Sequence, residues 1–136
     1  MHFEFDVEGG DFIRAGAASS QVKKTLKELG VDPAVVKRAV VALYEAEVNI
    51  VAHAYRGHIV IDILSDGISM VLADEGPGIP DIPLAMTRGY STASEKVREM
   101  GFGAGMGLPN IQDNADTLDI RSEVGKGTTL KIEIKF

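Results

Sequence analysis

The sequence contains no cysteine, which removes disulfides and thiolate chemistry and leaves any metal to oxygen and imidazole ligands. Hard cations such as Mg²⁺ suit that donor set best. The chain also lacks a positive charge balance: 14 lysines and arginines stand against 20 aspartates and glutamates, a net charge of -6 with a pI near 5.0. An acidic surface gains little by approaching a polyanion, so neither nucleic acid nor an anionic membrane is expected as the main partner. No stretch reaches the roughly 18 uninterrupted apolar residues of a membrane span, and the start, Met1-His2-Phe3-Glu4-Phe5-Asp6, is not a basic leader followed by an apolar run. A cytoplasmic protein is expected. Repeats, low-complexity tracts and linkers are missing too, so residues 1–136 read as one domain, long enough to bury a substantial core.

What is present alternates cleanly. Phe3, Phe5 and Val7 interleave with Glu4 and Asp6, the period of a strand with one buried face, and Gly9-Gly10 ends it. From Asp11 to Leu29 the positions Ala15, Ala18, Val22, Leu26 and Leu29 recur at helical steps, with Gly30 as the stop. Asp32-Pro33 supplies a cap and a first-turn proline for a helix to about Tyr55, which should be the longest and most buried. Ile59, Ile61 and Ile63 define one strand and Ile68 to Ala73 another, antiparallel through an Asp66-Gly67 turn. Gly76 to Gly107 is glycine-rich, with one short helix at about Asp81 to Arg88 before Gly89, and Tyr90 to Met100 is expected to form a lid.

Beyond it, Leu108, Ile111 and Ala115 predict a helix with Pro109 near its first turn, and Leu118 and Ile120 begin a strand. Gly125-Lys126-Gly127 makes a turn, and Leu130, Ile132, Ile134 and Phe136 alternate with charged residues. Strands with one apolar and one polar face predict an α+β two-layer sandwich, with a mixed, largely antiparallel sheet and helices packed on one face.

Three stretches carry chemistry. Asp74-Glu75-Gly76-Pro77-Gly78-Ile79 puts a carboxylate where an aliphatic strand runs out, followed by two glycines that let a flat ligand approach the backbone. On its own this motif is more economically a turn, since Gly, Pro and Asp are ordinary turn residues. In the long helix Glu45, Asn49 and His53 recur at steps of four and share one face, a polar stripe in apolar surroundings that needs internal partners or a ligand. Glu45 and Asn49, one turn apart, suit a proton acceptor and an Mg²⁺ ligand; His53 reads as a satisfied histidine near the helix end. Glu47 falls on the opposite side, as a solvated or hinge-side acid. Finally, Gly101, Gly103, Gly105 and Gly107 alternate into a helix start, where exposed N–H groups make an anion site. The run is not a dinucleotide fingerprint, because Met106 or Leu108 occupies the third glycine position, and Gly125-Lys126-Gly127 is not a P-loop.

Taken in order, Glu45-Ala46-Glu47-Val48-Asn49, Asp74-Glu75-Gly76-Pro77-Gly78, the Gly101 to Gly107 run and Gly127-Thr128-Thr129 resemble the boxes of the GHKL (Bergerat-fold) ATPases. The resemblance runs from about Val40 to the C-terminus. With Ile79-Pro80-Asp81-Ile82 and Gly89-Tyr90-Ser91-Thr92 in the loop, the chain is similar to the anti-sigma factor and switch-protein serine kinases of that superfamily. The resemblance implies ATP as cofactor, with Asp74 accepting the adenine amino group and Thr128 supporting it through water or the aspartate. Gly76 and Gly78 would let the base sit close, and Asn49 would bind Mg²⁺. Glu45 would be the general base, and the Gly101 to Gly107 backbone would cover the phosphates. Arg88, Lys96 and Arg98 are the candidates to steady the γ-phosphate.

The activity so implied is Mg-ATP-dependent serine/threonine phosphorylation of a STAS-type antagonist or scaffold protein, with a sigma-factor-like protein as the other partner class. Homodimerisation through the sheet is allowed. A non-catalytic ATP-binding anti-sigma-like module and a slow ATPase without a protein acceptor are the rival readings.

Overall fold

The computed structural model describes residues 1–87 and 107–136. Five strands, β1 (His2–Glu8), β2 (Arg56–Ile63), β3 (Gly67–Glu75), β4 (Thr117–Glu123) and β5 (Gly127–Lys135), form one sheet in the order β1-β2-β3-β5-β4. Among the described residues every pairing is antiparallel. The α+β two-layer form is the expected one. Alternation along each strand decides which face is buried. The register lines up inward residues in rows: Phe3, Ile61, Met70, Ile132 and Leu118 in one, Phe5, Ile59, Leu72, Leu130 and Ile120 in the next. The central members of both rows are buried, and the outer face carries His2, Glu4, Asp6, His58 and Asp62.

Helix α2 (Pro33–His53) lies across these rows, burying Val36, Ala39, Leu43, Ala46 and Ile50, with α1 (Ala17–Glu28) and α4 (Gly107–Asn114) packed beside it. The Asp32 carboxylate caps α2 by accepting the Ala34 N–H at 2.8 Å, as the Asp-Pro pair predicts. A short α3 (Ile82–Ala85) follows β3, capped by Asp81, whose Oδ1 accepts the Leu84 N–H. Among the described residues no helix is long and apolar enough to cross a membrane.

Two expectations are corrected here. Helix α1 begins at Ala17, not Asp11, because Gly16 adopts φ 96°, a left-handed conformation that interrupts a right-handed helix. Glu47 is not solvated: it is 2% exposed, and its carboxylate accepts the N–H groups of Ala18 and Ser19 at 3.2 and 3.3 Å. The start of α1 leaves N–H groups without helical partners, and the acid one helix away supplies them. Burial pushes the Glu47 pKa up, while the Ala18 and Ser19 N–H groups pull it down.

Candidate functional site

The inward rows change character at one end of the sheet. One step beyond Leu72, Leu130 and Ile120 stand Asp74 on β3, Thr128 on β5 and Ser122 on β4, opposite Gly57 of β2. Apolar packing gives way to polar side chains, so the sheet ends in a recess bearing a carboxylate and two hydroxyls. Asp74 is half-buried, and its Oδ1 accepts the Thr128 N–H at 3.0 Å. Among the described residues Oδ2 takes no hydrogen bond. Burial raises the Asp74 pKa, opposed by the Thr128 N–H.

The loop after Asp74 is fastened to the β4–β5 hairpin. The Gly76 N–H donates to the Lys126 carbonyl at 3.1 Å, the Gly125 N–H to the Pro77 carbonyl at 2.9 Å, and the Ile79 N–H to Ser122 Oγ at 2.7 Å. Gly76 and Gly78 make this seating achievable, and the room they leave is taken by protein. A Cβ on Gly76 would sit 3.0 Å from Ala54 Cα, and one on Gly78, at φ 77°, would sit 2.5 Å from the Glu123 carbonyl oxygen. The two glycines therefore shape the recess by letting backbone segments close on each other.

On the facing helix, Glu45 and Asn49 are half-buried, and both reach the first residue of α4. A Cβ on Gly107 would lie 3.2 Å from Asn49 Oδ1 and 3.5 Å from Glu45 Oε2. Asn110, one turn into α4, donates through Nδ2 to Glu45 Oε1 at 3.2 Å. Buried Leu108, Pro109 and Ile111 pin α4 against the core, so its first turn stands beside an acid and a carboxamide. Among the described residues the Asn49 side chain makes no hydrogen bond, and no buried side-chain polar atom is left unsatisfied. His53 completes the stripe at the end of α2, and burial lowers its pKa, keeping the imidazole neutral near pH 7.

The donor set suits Mg²⁺. Among the described residues no three His, Asp or Glu side chains gather as metal ligands, which leaves no all-protein cage. Mg²⁺ keeps several waters and takes few protein oxygens beside substrate phosphates, so the Asn49 carboxamide oxygen and the Glu45 carboxylate are the groups that would hold it. Gly101, Gly103 and Gly105, with Arg88, Lys96 and Arg98 and the expected lid, lie outside the described residues. A groove of about 320 Å³ between α1 and α2, lined by Val31, Pro33, Val36 and Val40, shares no residue with the recess.

With this geometry in place, the chain can be compared with known proteins. The sequence profile of the histidine kinase-like ATPase domain fits residues 12–134. The chain belongs to that family. As a histidine kinase-like ATPase domain it takes ATP as its nucleotide. Serine/threonine-protein kinase RsbT of Bacillus subtilis (strain 168) is 33% identical over 119 residues, covering 85% of this chain and 84% of its own. An anti-sigma F factor of Caldanaerobacter subterraneus subsp. tengcongensis is 35% identical over 121 residues, covering 85% and 76%. That of Geobacillus kaustophilus is 32% identical over 143 residues, covering 98% and 90%. This ATPase domain thus falls among serine kinases and anti-sigma factors.

Asn110 and Ser122 are not among the residues the sequence points to, and Glu47 is expected as a solvated or hinge-side acid rather than as a support of α1. Asn110 had one available signal, its position one turn beyond the glycine that opens α4. Ser122 had none, since a serine on an edge strand is ordinary.

Proposed function

We propose that this domain is an Mg-ATP-dependent serine/threonine kinase that phosphorylates a STAS-type antagonist or scaffold protein, changing which partner is held, a sigma-factor-like protein included. The observation that carries the reading is the meeting of Glu45 and Asn49 with Gly107 at the start of α4, an acid and a carboxamide beside the first turn of a helix. Similarity to a protein named as a serine/threonine kinase supports it. The domain acts as one unit, 1–136, in the cytoplasm, alone or as a homodimer, without nucleic acid or membrane.

Asp74 receives the adenine amino group and Thr128 flanks it. Gly76 and Gly78 keep the loop seated. Asn49 offers its carboxamide oxygen to Mg²⁺, and the backbone of Gly101, Gly103, Gly105 and Gly107 is assigned to the phosphate tail. The cation, when bound, neutralises charge building on the phosphate oxygens. Glu45, steadied by Asn110, takes the proton of the acceptor hydroxyl as its oxygen bonds to the γ-phosphorus. The bond from that phosphorus to the bridging oxygen breaks, and ADP leaves with the electron pair.

A second reading, a nucleotide-gated binding module without phosphotransfer, is favoured by the relatives named as anti-sigma F factors. Incubating the chain with Mg-ATP and candidate STAS partners, then weighing the intact proteins, separates the two. A phosphate added to the partner is the expected result; unchanged masses under all partners would leave the binding module.

A further inference from the structure

Along the first half of α2, ahead of Glu45 and Asn49, helices α1 and α2 leave a groove of about 320 Å³ between them. Val36 is buried beneath it, and the half-buried Val31, Val40 and Val41 turn apolar surface into it. The α2 wall runs from Pro33 to Val41, roughly 12 Å of helix at about 1.5 Å per residue. Apolar residues of a second helix at i, i+3 or i+4 and i+7 span about 10 Å. Two turns of an amphipathic helix therefore match the length of the groove, and the helical walls offer the ridges against which a third helix packs.

The rim carries charge of one sign. Lys23 and Lys27 stand one turn apart on the α1 side and Lys37 on the α2 side, all three exposed. Arg38, Arg56, Arg121, Lys126 and Lys131 each pair with a carboxylate, whereas among the described residues Lys23, Lys27 and Lys37 pair with none. Asp32, next to Pro33, is already engaged as the cap of α2, and among the described residues no acidic side chain lines the groove. Like charges on both walls repel one another, so on a chain of net charge -6 this patch favours an acidic occupant. An anionic lipid surface would meet the lysines but is flat, and would leave the trough unfilled while facing an acidic protein.

We propose that the groove between α1 and α2 is a docking site for an acidic amphipathic helix of a partner protein. The apolar stripe of that helix seats on Val31, Val36, Val40 and Val41, and its flanking carboxylates pair with Lys23 and Lys27 on one side and Lys37 on the other. The groove shares no residue with the recess at Asp74 or with Glu45 and Asn49. Docking there needs no nucleotide.

The test uses the full chain without nucleotide and two peptides of about 15 residues, near the length at which an isolated helix begins to hold. One carries leucine at i, i+3, i+4 and i+7 with glutamate on both flanks of that stripe; the other carries lysine in place of every glutamate. By calorimetry the acidic peptide should bind at least about 10-fold more tightly, a preference that three exposed ion pairs can supply, and its affinity should fall as salt is raised. Amide NMR shifts should gather between Lys23 and Val41. Lys23→Glu, Lys27→Glu and Lys37→Glu combined should reverse the preference. Two milder variants serve should that one unfold: Lys37→Gln should weaken the acidic peptide by about 2- to 5-fold, and Val41→Gln should weaken both peptides, since both use the apolar seat. Equal binding of the two peptides, no binding of the acidic one, or shifts confined to other parts of the chain overturns the proposal. Sedimentation with phosphatidylserine vesicles covers the rival occupant: pelleting of wild type but not of the triple variant would assign the lysines to a membrane surface and overturn it too. Because no nucleotide enters these assays, their outcome stands apart from the kinase reading.

Discussion

Glu47 of α2 closes the start of α1 by accepting the Ala18 N–H at 3.2 Å, and the neighbouring Ser19 N–H adds a second bond at 3.3 Å. The same helix turn carries Glu45 and Asn49 on its other side, so one short segment both holds the helical layer together and presents the site. Removing the carboxylate strands two buried N–H groups. Glu47→Ala should therefore cost about 2–3 kcal/mol and lower the melting temperature by roughly 5–12 °C. ATP affinity measured well below the transition should stay near wild type. A thermal melt paired with calorimetry checks both halves, and a strong loss of affinity in folded Glu47→Ala would move Glu47 into the site itself.

Asp74 sets the second expectation. Its carboxylate offers an acceptor to an amino group, and guanine puts a carbonyl oxygen there, so ATP and ADP should bind and GTP should not. Comparable calorimetric affinities for ATP and GTP would end that assignment. Burial raises the Asp74 pKa above the ordinary 3.8. The free site therefore gains a proton, and with it loses the acceptor, at a pH above that at which an exposed aspartate would. ATP affinity should fall as pH drops through this raised value, whereas Asp74→Asn should bind weakly with little pH dependence over the same window.

The outer face of the sheet offers a third, independent of nucleotide. His2 shares its ring nitrogens between Asp62 at 2.6 Å and Glu4 at 3.0 Å, and His58 between Asp6 and Glu4, both at 2.7 Å. These carboxylates raise both histidine pKa values above 6.5 and lower that of Glu4. The folded state holds the two protons more tightly than the unfolded one. Their stabilisation is thus fully present below about pH 6.5 and is lost as pH rises through the raised values. The groups are exposed, so salt should weaken the effect. NMR titration of the two rings should give midpoints above 6.5 that both move down in Glu4→Gln; a change in only one would break the shared bridge.

Much of this was legible in the chain, and the exceptions have a common physical cause. The inward rows follow from Ile59, Ile61 and Ile63 alternating with polar neighbours, and the α2 start from Asp32-Pro33, because both are local patterns read within a few residues. Ala15 fits helical spacing and so predicts an earlier start for α1 than the structure has, while the left-handed conformation of Gly16 that breaks the helix leaves no mark on the apolar periodicity. Glu47 reads as a solvated or hinge-side acid because periodicity says which side of a helix a residue occupies and not that α1 covers that side. The same holds for the site. Glu45, Asn49 and Asp74 stood out as polar residues at the edges of apolar runs, but Asn110 meets Glu45 from 65 residues away and Ser122 meets Ile79 from 43. Such partners leave no mark on local sequence.

The last expectation separates chemistry from binding, through the pair that faces Gly107. Glu45 is held by Asn110 and stands one helical turn from Asn49, so the two can be altered one at a time. If Glu45 only accepts the proton of an attacking hydroxyl, Glu45→Gln keeps shape and hydrogen bonding but removes the base. ATP affinity should then stay within a few-fold while phosphotransfer falls by roughly 10² to 10⁴, the usual worth of a general base. Asn49→Ala removes an oxygen donor for the cation, which weakens Mg-ATP binding and misplaces the γ-phosphate together, so it should fail in both assays. Asn110→Leu supplies the intermediate case: Glu45 remains but loses its tether, and turnover should fall less than in Glu45→Gln with affinity preserved. Calorimetry with Mg-ATP beside a partner phosphorylation assay measures all three. Transfer that survives in Glu45→Gln would exclude Glu45 as the base, and intact Mg-ATP binding in Asn49→Ala would move the cation to other ligands.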